Sequence, residues 1–337
     1  MGKVNTILGP IATEQLGITA LHEHIGFGLP GCDLDTLWWE ERPKMLEVTI
    51  EKLRRFRELG GRTIVDCTGI GTGRDIAYWQ VVSRVTGVNI VACTGFVSGD
   101  TVLPYFRDKS IEYLADLFYH EITVGIEGTN VKAGAIKCGV SRGGLSELDE
   151  KVYRAAARAA RATGVPILTH LSIDADRQMD LFEMEGLSLD RVVIGHSDGK
   201  EGLDPARDFR IAERGAYVGY DTIGFDTEKG TPERPAPFWA RPRKERLDQV
   251  MDLFNAGYAH RAIISCDANC FALGWASTEH SVAELLEVFV PDLKKRGVSD
   301  ETIKMLLIDT PAKLLTMQEP QPNLVKAARL SKEKAHV

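Results

Sequence analysis

One pattern recurs along the chain and limits the folds open to it: a helix-like stretch ends in glycine, and a short apolar run follows. RRFRELGGRTIVDCTG shows the pattern around Gly60, SRVTGVNIVACTG around Gly87, and ARATGVPILTH around Gly164. Glycine accepts the left-handed conformation that closes a helix. An apolar, β-branched run without alternation is typical of a parallel strand buried on both faces. The sequence therefore predicts helices that alternate with parallel strands.

Eight segments fit the strand part of this repeat. They are Ile18 to Ile25, Thr63 to Thr68, Asn89 to Phe96, Lys132 to Gly139, Pro166 to Leu171, Arg191 to Ser197, Ala216 to Asp221 and Ala262 to Asp267. Eight strand–helix units in a chain of this length predict an α/β protein with a (β/α)8 TIM-barrel fold. A doubly wound open sheet is the alternative, but GIGTGRD after the second strand lacks the G-x-G-x-x-G spacing of a phosphate loop. Residues 1–317 are expected to form one barrel domain, and residues 318–337 a peripheral tail.

Charge and composition exclude several classes of function. The formal net charge is -7, which argues against a protein that tracks nucleic-acid phosphates. No apolar run approaches the ~20 residues needed to cross a bilayer, so no membrane partner is expected. The first residues contain no apolar signal region, and six cysteines in a chain of 337 residues do not form a disulfide-dense scaffold. We expect a reduced, cytoplasmic protein.

The first strand carries a pair of histidines on one face. In ITALHEHIG, His22 and His24 are two residues apart and point the same way, whereas Glu23 points to the other side. Two imidazoles on one strand face can converge on a metal ion. Taken alone, an H-x-H motif is more often two histidines satisfied in a core or on a surface.

Further ligand-type residues lie at the carboxyl ends of other strands. His170 ends the fifth strand, His196 ends the sixth and Asp267 ends the eighth. Barrel enzymes place their active sites at this end of the strands. The recurrence of single ligand-type residues at equivalent positions favours a metal site over chance placement.

Lys137 lies within an otherwise apolar fourth strand, KAGAIKCG. A lysine ammonium is rarely buried without a partner. A buried ion pair and a catalytic Schiff-base lysine are both compatible with this position. A Schiff-base enzyme would leave the four strand-end histidines without a role.

Taken in order, these residues resemble the amidohydrolase superfamily and, within it, the phosphotriesterase family. The local strings VNTILGPIATEQLGITALHEH, AGAIKCG, ILTH, IGHSDG and DTPAKLL carry the resemblance, which extends from about Val4 to Leu315. It implies a binuclear centre at the carboxyl ends of the strands, with Lys137 carboxylated and bridging two divalent metal ions. His22, His24 and Asp267 would then hold one metal, and His170 and His196 the other. Zinc is the first expectation, and cobalt, manganese or iron also suit such ligands.

The resemblance also implies the reaction. A hydroxide that bridges the metals would attack an electrophilic carbonyl or phosphoryl centre, and Asp267 would act as the catalytic base. Family phosphotriesterases carry a His after the Asp of the seventh strand, and related lactonases an Arg, whereas this chain has Thr222. We therefore expect a small-molecule lactone or other carboxylic ester as substrate. The alternatives are a phosphotriester hydrolase, an amide hydrolase and the Lys137 Schiff-base enzyme.

Residues near the strand ends supply candidates for a substrate pocket, and we expect a homodimer. Phe96, Val97, Thr222 and Trp275 are the predicted pocket residues. Trp38, Trp239 and Phe271 are further apolar candidates, with core or subunit packing as the alternative role for each of them.

Overall fold

The fold was taken from a computed structural model, which describes residues 2–38, 41–199, 204–232, 235–237, 239–273 and 280–318. Its main sheet is entirely parallel, and neighbouring strands follow one another in the chain. A short antiparallel pair, β1 and β2, precedes it. The strands are β1 (Lys3–Val4), β2 (Ile11–Ala12), β3 (Ile18–Gly28), β4 (Gly61–Asp66), β5 (Asn89–Gly95), β6 (Ala135–Gly139), β7 (Ile167–His170), β8 (Val192–Ile194), β9 (Tyr217–Tyr220), β10 (Ala262–Ile264) and β11 (Asn269–Leu273).

The barrel closes through an eighth strand that is interrupted in the middle. β10 pairs with β9, and β11 pairs with β3. Four residues separate the end of β10 from the start of β11. Between them, the N–H of Asp267 donates to the carbonyl of His22 at 2.9 Å. The strand order is therefore sequential and the last strand meets the first. The predicted (β/α)8 barrel is confirmed, and the doubly wound alternative is wrong.

The helices cover the outside of this barrel. They are α1 (Arg42–Glu58), α2 (Ile76–Thr86), α3 (Pro104–Arg107), α4 (Ile111–Thr123), α5 (Glu147–Thr163), α6 (Ala175–Met184), α7 (Pro205–Glu213), α8 (Arg243–Asn255), α9 (Val290–Lys295), α10 (Asp300–Lys304) and α11 (Thr310–Leu315). Single π-helical turns precede α9 and α11.

Glycine ends the helices as the repeat predicts. Gly87 follows α2 with φ 67°, and Gly164 follows α5 with φ 74°. Their N–H groups donate to the carbonyls of Ser83 and Ala160, four residues earlier. These bonds satisfy carbonyls that the helix leaves unpaired and turn the chain towards the next strand.

Two apolar layers hold the barrel together. Alternate strand residues, among them Leu21, Val65, Val91 and Ile263, fill the barrel interior. The other strand residues pack outward against the helices. Five of the six cysteines are buried in these layers, and all six are free. The result is a filled barrel whose polar residues collect at one end.

α11 and the residues that follow it, up to Gln318, cover the other end of the barrel. Leu314 and Leu315 of α11 join the interior layer. Beyond them, the N–H of Met317 donates to the carbonyl of Lys3, and that of Gln318 to the carbonyl of Gly164. The tail predicted for residues 318–337 falls outside the described residues from 319 onward, so the division into domain and tail stays a prediction. No helix in the described part of the chain is both long and apolar enough to cross a membrane.

Candidate metal centre

The six residues predicted as metal ligands lie together at the carboxyl ends of the strands. His22 and His24 lie on β3, Lys137 on β6, and His170 at the end of β7. His196 and Asp267 follow β8 and β10 by two and three residues. Parallel strands expose their carboxyl ends at one edge, so residues distant in sequence meet there.

His24 and Asp267 form one side of this cluster. Nε2 of His24 lies 3.0 Å from Oδ1 of Asp267, and Nε2 of His22 lies 3.5 Å from the same oxygen. The Asp267 side chain is 22% exposed, whereas the side chains of the two histidines are 5% exposed or less. Asp267 is therefore a group of the cluster that solvent or a substrate can reach.

His170 and His196 form the opposite side. Nδ1 of His170 lies 2.9 Å from Nε2 of His196, with the two rings nearly perpendicular. Burial, together with the charge of neighbouring His196, holds the pKa of His170 well below its usual range. A neutral imidazole is the form that binds a metal ion.

Lys137 lies at the bottom of the cluster and is fully buried. Its Nζ is 2.7 Å from Nε2 of His22 and 3.3 Å from the carbonyl oxygen of Thr169. Among the described residues, Lys137 has no carboxylate within ion-pair distance. Within the described residues, a buried ion pair therefore does not explain the burial of Lys137.

A carboxylate that the sequence analysis left without a role, Asp221, fixes two of the histidines. It follows β9, and its two oxygens accept from Nδ1 of His22 and Nδ1 of His196, each at 2.7 Å. The backbone N–H of His196 donates to it as well. Burial alone would raise the pKa of Asp221, but its contacts with His22 and His196 hold that pKa well below the usual range.

These contacts determine which ring nitrogen faces the centre. An ionised carboxylate only accepts, so His22 and His196 each carry a proton on Nδ1 and turn Nε2 towards the centre. Nδ1 of His24 lies 2.8 Å from the Thr68 hydroxyl, which itself donates to the carbonyl of Gly26. His24 therefore also presents Nε2. Such outer partners orient metal-binding histidines in proteins.

Asp221 is closely surrounded by the residues that pack against it. Its backbone N–H donates to Asp198, whose carboxylate is paired with the buried guanidinium of Arg246 at 2.6 Å. A Cβ atom at Gly195 or Gly219 would lie 3.0 or 2.9 Å from an Asp221 oxygen. The only sequence signal for Asp221 was its place at a strand end, the same place that marks the ligands.

The geometry supports a metal-binding assignment for the cluster. His22, His24 and Asp267 present ligand atoms within 4.8 Å of one another, and so do His22, His196 and Asp221. In the second group, the Asp221 oxygens are already engaged by imidazole N–H groups. Asp221 therefore orients the histidines, and the atoms that face Lys137 and Asp267 are the ones that could hold a metal ion.

The predicted pocket residues do not line the cluster as a set. Phe96 is fully buried and packs against Phe106 and Phe118, so its ring belongs to the layer between strands and helices. The hydroxyl of Thr222 accepts from Arg246, which removes it as a free substrate contact. Val97 is buried beside the end of β6, where its carbonyl oxygen approaches Gly139. Trp275 lies outside the described residues.

The other apolar candidates are partly placed. Phe271 on β11 packs edge-on against Tyr78, with ring centres 5.9 Å apart, and Trp239 lies 6.2 Å from the ring of Phe225. Both contacts are packing contacts. The environment of the Trp38 side chain is not among the described features.

The segment after Asp267 is held by two residues that sequence reasoning missed. Nζ of Lys52 donates to the carbonyls of Asn269, Cys270 and His280. His280 is itself buried, and its Nε2 donates to the carbonyl of Cys266 at 2.7 Å. These contacts hold Cys266, Asn269 and Cys270, which lie beside Asp267, against α1 and His280.

A closed (β/α)8 barrel with four histidines, a lysine and an aspartate gathered at its strand ends defines a class of barrel hydrolases. The comparisons with known proteins agree with this class. Residues 2–315 match the profile of the Phosphotriesterase family. The chain belongs to the phosphotriesterase family, and the resemblance drawn from its motifs is confirmed.

Named relatives span nearly the whole chain. An aryldialkylphosphatase of Saccharolobus solfataricus is 30% identical over 91% of this chain and 97% of its own length. An N-acetyltaurine hydrolase of Xenopus tropicalis is 28% identical over 94% and 99%. The structure of a mutant organophosphorus hydrolase from Deinococcus radiodurans superimposes with a TM-score of 0.84, at 31% identity, covering 93% of this chain and 97% of that one. The relatives are hydrolases named for different bonds.

Proposed function

We propose that this protein is a metal-dependent hydrolase that cleaves lactones or other carboxylic esters. The observation that carries the proposal is the convergence of the Nε2 atoms of His22, His24 and His196 on the space beside Lys137 and Asp267. Nitrogen and carboxylate donors gathered in this way suit divalent transition metals, with zinc as the first choice.

The surroundings of Lys137 support carboxylation of its amine. An ammonium in this position would be buried against imidazoles without a carboxylate partner in the described chain, which is unfavourable. Addition of carbon dioxide to the neutral amine, with loss of one proton from Nζ, would give an anionic carbamate. Its oxygens would be ligands for the metal ions that the histidines and Asp267 would hold.

The bound metals would acidify a water molecule and polarise the bond to be cleaved. Asp267 is placed to take the proton from that water as its oxygen attacks the carbonyl carbon. The same carboxyl group can return the proton to the leaving oxygen when the carbon–oxygen bond breaks. Asp221 keeps His22 and His196 oriented throughout, and the exposed side of Asp267 leaves room for the substrate to approach.

Two contacts support a carboxylic ester over a phosphotriester. Thr222 stands where family phosphotriesterases carry a His, and its hydroxyl is engaged by Arg246. Asp198 is buried, and its oxygens are held by the same guanidinium and by the N–H groups of Asp221 and Thr222. Both side chains are therefore engaged by contacts within the protein.

A phosphotriester remains the second candidate, because the names of the Saccharolobus and Deinococcus proteins describe that activity. An amide is the third, from the name of the Xenopus relative. Steady-state kinetics with lactones, aryl esters, phosphotriesters and N-acetylated amines under one set of conditions tests the proposal. Ester or lactone kcat/KM at least ~100-fold above the others is expected, and a higher value for a phosphotriester or amide would overturn the substrate assignment.

A further inference from the structure

Glu23 lies between two predicted metal ligands and faces away from the metal site. It is 2% exposed, on the opposite face of β3 from His22 and His24. Within the described part of the chain, the three hydrogen bonds of its side chain all go to one short segment, residues 265–268. This segment contains Asp267, the proposed proton acceptor.

The segment is where the eighth strand is interrupted. β10 ends at Ile264 and β11 begins at Asn269. Asp267 adopts φ 50°, in the left-handed region that a residue with a side chain rarely occupies. A residue is held in that region only where its surroundings impose it.

The Glu23 carboxylate takes over hydrogen bonds that the sheet does not provide there. One of its oxygens accepts from the N–H of Cys266 at 2.9 Å, and the other from the N–H of Ala268 at 2.8 Å. These two residues flank Asp267 directly. The Glu23 side chain therefore binds the backbone N–H groups on both sides of Asp267.

A third contact connects Glu23 and residues 265–268 to the backbone of β3, the strand that carries His22 and His24. The hydroxyl of Ser265 donates to Glu23 at 2.7 Å and accepts from the backbone N–H of His22 at 3.0 Å. The N–H of Asp267 donates to the carbonyl of His22. The position of Asp267 is thus set by bonds to the same strand that carries the two histidines it faces.

We propose that Glu23 is a positioning residue, which holds Asp267 in its left-handed conformation with the carboxylate directed at His22 and His24. Its effect on turnover rests on the proposed function of Asp267, whereas its effect on the backbone does not. A carboxylate suits this role because two oxygens can serve two N–H groups. In Glu23→Gln, one of the flanking N–H groups would face the amide NH2 and lose its acceptor.

The matched control is Glu121→Gln. Glu121 is also a buried carboxylate, but it lies on α4 and pairs with Arg74, away from the segment of Asp267. Both variants replace one buried carboxyl group by an amide of the same shape. A difference between them therefore reports on what Glu23 contacts and not on burial as such.

Hydrogen–deuterium exchange measures how well the backbone around Asp267 is protected, independently of activity. Peptides that cover residues 262–273 are compared with peptides of α5. We expect exchange in this segment to rise at least ~10-fold in Glu23→Gln and to stay unchanged in Glu121→Gln. If the glutamine variant does not fold, Glu23→Asp provides the same test, since it keeps the carboxyl group and shortens its reach. Unchanged exchange in the folded variant would overturn the proposal, whether or not the protein hydrolyses esters.

A double-mutant cycle with Asp267→Asn tests whether Glu23 acts through Asp267. Alone, Glu23→Gln should lower kcat by ~10-fold or more with KM within about threefold. Added to Asp267→Asn, it should change kcat by less than about threefold, because the group it positions is already disabled. Equal losses in the two backgrounds would show that Glu23 acts independently of Asp267 and would contradict the proposal.

Discussion

Nδ1 of His22 lies 2.7 Å from a carboxylate oxygen of Asp221, and this contact directs the other ring nitrogen of His22 towards Lys137. Since Asp221 holds His196 through its second oxygen, one carboxylate sets the orientation of imidazoles from two strands. Burial, followed by the charge of Lys137, lowers the pKa of His22 to about 4, so the ring is neutral near pH 7.

Replacement of Asp221 by Asn should weaken metal binding more than folding. The amide oxygen can accept from one imidazole, but the NH2 group meets the N–H of the other. We expect about 10–100-fold lower metal affinity, measured by competition with a chromogenic chelator.

Asp226→Asn is the control for Asp221→Asn, because Asp226 is equally buried but pairs with Arg243. If both variants bound metal as tightly as the unmodified protein, the orienting role of Asp221 would be wrong.

Asp267→Asn should keep much of the metal and lose turnover. Burial favours the protonated form of Asp267, but His196 and the contact with His24 outweigh it and hold its pKa below the usual range. It is therefore ionised and able to accept a proton. We expect kcat to fall by roughly 10²–10⁴-fold with a smaller change in KM, measured on preparations of known metal content. Near-normal turnover in a fully metallated variant would exclude Asp267 as the base.

Lys137→Met separates the carboxylated lysine from a Schiff-base lysine. The replacement keeps the shape and removes a buried amine, so we expect the barrel to remain folded. Its metal content should fall, since the bridging ligand is gone. For the unmodified protein, borohydride in the presence of substrate should not trap a covalent adduct on Lys137. Trapping of the substrate on this residue, with activity independent of metal, would instead establish the Schiff-base enzyme.

His280 should make the metal-free protein sensitive to acid. Burial lowers the pKa of His280 from 6.5 to about 4. The unfolded chain therefore binds a proton between pH 6.5 and 4 that the native state does not, and this difference lowers stability as the pH falls. The His280 share of the loss between pH 7 and pH 5 is about 2 kcal/mol.

Urea unfolding at the two pH values measures that share. In His280→Gln, the drop in the free energy of unfolding between pH 7 and pH 5 should be smaller by this amount. His260→Gln, which changes an exposed histidine, should behave like the unmodified protein. An equal drop in all three proteins would show that His280 is not the sensitive group.

The sequence was sufficient for the barrel and for the residues that meet at its mouth. The carboxyl ends of all strands in a parallel barrel lie at the same end of the barrel. A ligand-type residue that follows an apolar run could therefore be placed there without knowledge of side-chain directions. The same reasoning could not predict that Phe96 turns outward, because an apolar residue after a strand is compatible with either side.

Other features depend on contacts between segments that are distant in sequence. Asp221, Glu23 and Lys52 act through hydrogen bonds to groups more than 190 residues away. The interruption of the eighth strand and the left-handed backbone at Asp267 follow from those bonds and leave no pattern in the local sequence. Glu23 was recognised as pointing away from the metal site, but its partners could not be read from β3 alone.

The central claim is that the cluster holds metals and uses them for hydrolysis. Its most direct test is the metal content of the purified protein, measured together with ester and lactone hydrolysis before chelation, after chelation and after metal is returned. We predict about two divalent ions per chain, activity that disappears with them, and recovery when zinc or cobalt is added. Undiminished hydrolysis by the metal-free protein would contradict the account. So would a fully metallated protein that hydrolyses no lactone, ester, amide or phosphotriester.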